Sequence, residues 1–85
     1  MVTANAATML QEASQEATEF LSRHEQGDWG DISAYEKTEY DQGLAEGSRV
    51  IFLSAYPLRT GQTIWVVTNL QQGKTTVLLP HEQIR

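Results

Sequence analysis

His24, Asp28 and Asp31 are the first residues in this sequence whose types and spacing could do chemistry. An imidazole and two carboxylates at positions i, i+4 and i+7 share one face of an unbroken helix and could hold a metal ion. Gly27 interrupts that face. One imidazole with two or three oxygens is also a poor zinc set, so both acids read as turn caps at the positive start of a following helix. Ser54 is a second candidate, with His24 and His81 as the histidine bases. It lacks a Gly-x-Ser-x-Gly elbow, and 85 residues leave little room for a substrate pocket. Carboxylates are plentiful, but acid–base catalysis needs environments that drive two pKa values apart, and an exposed helix surface supplies none. Gly73-Lys74-Thr75 matches the end of a phosphate-binding loop without its earlier glycine or its following helix. No catalytic residue, metal site or cofactor is expected, and the reading is of a chain that is not an enzyme.

Charge says more. The chain holds 6 Lys and Arg against 11 Asp and Glu, a net of −5. Residues 1–47 carry ten of those acids with only Arg23 and Lys37, which is −8. Residues 48–85 carry Arg49, Arg59, Lys74 and Arg85 against Glu82 alone, which is +3. A division of this kind creates a directed field whatever the fold. Two explanations stand: helices favour glutamate by propensity, or the acidic half is a face for a protein partner. In the second, Glu12, Glu16 and Glu19 form one exposed ridge, and Glu36, Glu39 and Asp41 extend it to a second helix. The partner expected is a protein with a basic surface, such as a nuclease complex that grips DNA. Arg49, Arg59, Trp65 and Lys74 are secondary contacts. They are also the basis of the alternative, a nucleic-acid-binding or regulatory protein that stacks bases on the basic half. A net negative charge disfavours direct binding to phosphates.

The elements that must position these residues follow from periodicity. The first four residues have no anchor and should fray. From Asn5, an N-cap, to about residue 25 the apolar stripe Leu10, Ala13, Ala17, Phe20, Leu21 and His24 predicts one helix, closed by Gly27. Gly27-Asp28-Trp29-Gly30-Asp31 is a turn, and Trp29 is placed in the core as a plug at the helix–sheet junction. Ser33-Ala34-Tyr35-Glu36 is a capping box that opens a second helix. Its inner side is assigned to Tyr35, Tyr40 and Leu44; Gly43 weakens it and Gly47 ends it.

Beyond residue 48 the period becomes two. Residues 49–56, 62–69 and 74–79 read as strands joined by short turns, an antiparallel meander. Ile64, Val66 and Thr68 share one face; Trp65 points to the other, as core or as contact. The expected architecture is α+β, two N-terminal helices packed on a three-stranded antiparallel β-meander (ααβββ). It forms a single domain over 1–85, with an acidic helical half at 5–47 and the meander at 48–80. Apolar runs are far too short to span a membrane, no signal peptide opens the chain, and cysteine is absent, which together favour a cytoplasmic setting. Exposed sheet edges suggest a homodimer by strand pairing, with Lys74 and Pro80 placed to discourage it.

The string Arg23-His24-x-x-Gly27-Asp28-Trp29-Gly30-Asp31 carries a resemblance, together with Ser54-Ala55-Tyr56, Ile64-Trp65-Val66-Val67-Thr68 and Thr75-Thr76-Val77-Leu78-Leu79-Pro80. These segments, about two-thirds of the chain, resemble a family of small bacterial proteins found on plasmids and integrative elements. Its members are labelled plasmid-related or as restriction–methylation subunits. The chain departs from that pattern at Asn69-Leu70-Gln71-Gln72 and at Gln83-Ile84-Arg85, and it contains no methyl-donor loop. The resemblance implies a mobile-element or phage setting. With the acidic half, it gives the expected function: a small protein-binding module that inhibits a host defence nuclease, as an anti-CRISPR or anti-restriction protein.

Overall fold

A computed structural model of the chain describes residues 1–32, 34–47 and 51–82, with the backbone alone for 34 and 44–46. Three helices, α1 (Ala4–Glu12), α2 (Ala17–Glu25) and α3 (Ala34–Glu46), precede three strands, β1 (Ile51–Pro57), β2 (Thr63–Asn69) and β3 (Lys74–Leu78). The strands pair antiparallel in the order β1-β2-β3, with Ser54 opposite Val66 and Val66 opposite Val77. The α+β class and the meander therefore hold. The helices number three rather than two, because the long first helix is broken.

The break falls at Ser14, which takes a left-handed φ of 55°. Its N–H donates to the Gln11 carbonyl and that of Gln15 to the Leu10 carbonyl, the paired bonds that close a helix around a left-handed residue. Geometry requires the interruption. A continuous helix over 5–25 would be about 31 Å long, whereas a seven-residue strand spans about 23 Å. Folding the helix back lets both halves bury their stripes on one sheet face: Ala6, Leu10, Ala13 and Phe20 pack on Tyr56, Ile64, Val66 and Val77.

Two further expectations at the start of the chain are corrected. The N-cap is Thr3, whose hydroxyl accepts from the Ala6 N–H at 3.2 Å; Asn5 lies inside α1. The first residues are paired with β3: Thr3 N–H donates to the Val77 carbonyl at 2.9 Å, and Val77 N–H to the Met1 carbonyl at 2.8 Å. Strand alignment supplies an anchor that local sequence does not display. At the other end α2 closes as expected. Gly27, at φ 82°, sits where Asp28 N–H reaches back to the Arg23 carbonyl.

Trp29 is buried, stacked on Phe52 at 5.5 Å and edge-on to Tyr40 at 5.3 Å, in a second small core under α3. Tyr35, assigned to the inner side of that helix, is 72% exposed, so α3 faces the core through Tyr40. Ser33, Arg49 and the segment 83–85 lie outside the described residues. Among the described residues no helix is long and apolar enough to cross a membrane.

After Trp29 the chain runs parallel to the outer edge of β1. Ala55 N–H donates to the Trp29 carbonyl at 3.1 Å and Asp31 N–H to the Ala55 carbonyl at 2.7 Å. Gly30 sits between them at φ 71°, where a Cβ would lie 2.0 Å from the Ala55 oxygen. Gly30→Ala must therefore push the turn off the sheet. We expect urea denaturation to show a loss of more than about 2 kcal/mol, against about 1 kcal/mol for Gly61→Ala, whose added methyl meets only backbone strain.

Candidate functional site

Two of the residues singled out for chemistry, His24 and Ser54, meet in the interior. The end of α2 carries His24 onto the sheet face, where even-numbered residues of β1 and β2 point toward the helices. His24 Nδ1 lies 2.6 Å from Ser54 Oγ, Nε2 lies 2.8 Å from Thr68 Oγ1, and Thr68 Oγ1 lies 2.9 Å from Thr75 Oγ1. Tyr56 OH donates to the Asp28 carbonyl at 2.5 Å.

A carbonyl only accepts, so Tyr56 donates to Asp28. A neutral imidazole has one donor and one acceptor nitrogen, so His24 donates to one of the two hydroxyls, Ser54 or Thr68, and accepts from the other. The tautomer decides which, and the bond between Thr68 and Thr75 can run either way. Ser54 is 0% exposed, so its hydroxyl has no access to a substrate in this arrangement. Burial holds the imidazole neutral and pushes its pKa below the ordinary value.

The metal reading of His24, Asp28 and Asp31 dissolves in the same geometry. Both ring nitrogens of His24 face hydroxyls, and Asp28 takes Arg23 Nε at 2.7 Å and the Gly30 N–H at 3.2 Å. No group of three metal-ligating side chains occurs among the described residues.

Of the acids proposed as contacts, Glu12, Glu16, Glu19, Glu36, Glu39 and Asp41 are all exposed. Glu12 ends α1, Glu16 caps α2 and Glu19 lies in its first turn, so the break at Ser14 bends this ridge. Glu19 accepts from the neutral Gln15 amide at 3.2 Å. Asp41 has a structural partner as well: it accepts from Trp29 Nε1–H at 3.1 Å.

The basic candidates do not converge. Arg59 lies in the β1–β2 loop and Lys74 at the β2–β3 turn, separated by the length of β2, about 20 Å. Arg49 is outside the described residues. Trp65 lies on the sheet face away from the helices, half-buried between Ala55 and Leu78 across the strands. It lines a groove of about 440 Å3 with Ile51, Leu53, Val67 and Pro80.

Sequence reading named His24 and His81 as the histidine bases for Ser54 and gave Thr68 only a face. The meeting of His24 with Ser54 and Thr68, 30 and 44 residues apart in the chain, needs the strand register. No family model matches the chain, and no curated protein or solved structure is significantly similar to it.

The network fixes two outcomes. Thr68→Val leaves His24 Nε2 without its hydrogen-bond partner and should cost about 1–3 kcal/mol in urea denaturation. In the wild type, the unfolded chain binds a proton on this imidazole at higher pH than the folded chain. Stability should therefore fall as pH drops from 7 through the ordinary imidazole range near about 6.5, levelling once folded His24 is also charged. Asp28 and Glu82 act in a lower window. The Arg23 bond holds the first below the ordinary carboxylate range, and the Leu79 N–H and Thr3 hydroxyl hold the second. Their contribution is lost only as pH falls through about 4 and below. Denaturation midpoints measured from pH 7 to pH 3 should show two separate declines.

Proposed function

We propose that this chain is a non-enzymatic protein-binding module whose acidic helical layer meets a basic surface on a partner protein. One observation carries the reading. Glu12, Glu16 and Glu19 are exposed, and Arg23, one turn beyond Glu19 on α2, pairs with Asp28 in the one ion pair among the described residues. Charges that the fold does not neutralise internally are the ones a partner can neutralise, and complementary potentials steer association. The groups that could have done chemistry support the same reading from the other side, since His24 and Ser54 are consumed by internal hydrogen bonds.

A host defence nuclease is the partner class that fits best. Such complexes hold DNA in basic channels, and carboxylates on a small rigid domain can occupy a channel built for phosphates. This agrees with the mobile-element setting implied by the Gly27-Asp28-Trp29-Gly30-Asp31 resemblance, and makes the chain an anti-restriction or anti-CRISPR inhibitor. The basic-half alternative has less support, because Arg59 and Lys74 sit at opposite ends of β2 and present no shared phosphate track.

The test is retention of purified restriction and CRISPR effector complexes on the immobilised chain. Wild-type protein should retain one of them and block its DNA binding. The triple variant Glu12→Lys, Glu16→Lys, Glu19→Lys should bind it at least about tenfold more weakly while keeping its thermal transition. Undiminished binding by that variant removes the acidic-ridge mechanism.

A further inference from the structure

The hydrogen-bond chain from Ser54 to Thr75 has an open end. The Thr75 hydroxyl meets that of Thr68 at 2.9 Å and keeps a lone pair able to accept a further hydrogen bond. That end lines a cavity of about 220 Å3 between the last turn of α2 and the β2–β3 turn. Trp29, Phe52 and Leu70, the last 55% exposed, are its apolar lining, and His24, Glu25, Thr68 and Thr75 are its polar lining.

We propose that this cavity receives one arginine side chain of the partner. The inference rests on the basic-partner reading above and names a specific contact within it. Size, charge and donor count point the same way. Small-molecule sites occupy about 300–1,000 Å3, so this cavity suits a single long side chain better than a metabolite. Glu25 is the final residue of α2, where the exposed carbonyl ends already make the potential negative. An acid there is unfavourable to the isolated helix and favourable to a bound cation. The lining offers acceptors, the Glu25 carboxylate and the Thr75 hydroxyl, and a guanidinium fork presents several N–H donors in fixed geometry. Its methylene stem then lies along Leu70 and Phe52, as amphipathic side chains do on apolar surface.

The probe is N-acetyl-arginine methylamide, titrated into the 15N-labelled full chain and followed by two-dimensional NMR, with the lysine and norleucine analogues as comparisons. The arginine compound should give saturable, millimolar shifts at the Thr68 and Thr75 amides and the Trp29 indole. Glu25→Gln and Thr75→Val should each weaken it about three- to tenfold. Glu25 is exposed, so its variant keeps the fold. Absence of saturable shifts, equal binding of the norleucine analogue, or full affinity in Glu25→Gln overturns the site. Equal binding of the lysine analogue overturns the guanidinium assignment. Because the titration needs no partner, its failure is distinct from failure of the nuclease-retention test. Arginine binding in a chain that retains no nuclease would support the cavity and remove the partner class.

Discussion

The Asp28 carbonyl can only accept a hydrogen bond, and Tyr56 is the group that donates to it. Beside it the His24 imidazole joins Ser54 on β1 to Thr68 on β2, and Thr68 joins Thr75 on β3. These bonds link α2 and the loop after it to all three strands, so displacing any of these elements leaves a buried polar atom without a partner. No buried side-chain nitrogen or oxygen among the described residues is unsatisfied. In a core this thin the penalty for an orphaned group, about 1–3 kcal/mol, is a large fraction of a small domain's stability. The network therefore selects one packing from the several that its apolar residues alone would tolerate.

The turn Gly27 to Asp31 is where that selection meets the backbone. Gly27 closes α2 so that Asp28 can face Tyr56; Trp29 fills the space between Phe52 and Tyr40; Gly30 lets the chain approach Ala55 closely enough to bond it. The same approach covers part of the outer edge of β1, and residues 1–3 cover part of the outer edge of β3. A three-stranded sheet ordinarily offers two such edges for pairing with another chain. Here both are partly occupied by the protein's own backbone.

Much of this was legible in the sequence, and the parts that were not share a cause. The strands, their meander, the closure at Gly27 and the burial of Trp29 are all written in local patterns: alternation, turn residues, a large aromatic between glycines. The break at Ser14 was hidden because serine carries none of glycine's signal for a left-handed residue. The apolar stripe is also continuous across it, since both halves face the same sheet. Thr3 as cap, Met1 to Thr3 as an added edge, and the outward turn of Tyr35 depend on where β3 and Phe52 lie. The contact of His24 with Ser54 and Thr68 depends on which strand faces carry them. Local periodicity assigns a residue to a face, but only register brings two faces together.

The acids are the remaining feature that the fold itself does not require. With Arg23 paired to Asp28 and stacked 4.5 Å over Tyr56, its charge acts on Glu19 at longer range, and the exposed carboxylates of α1 and α2 repel one another. Added salt screens that repulsion, which favours the free folded domain, and it equally screens attraction to a basic partner, which disfavours the complex. Stability and binding thus respond to ionic strength with opposite sign. An interior that has engaged its histidine and serine in hydrogen bonds leaves these exposed acids as the groups on which the proposed partner contact rests.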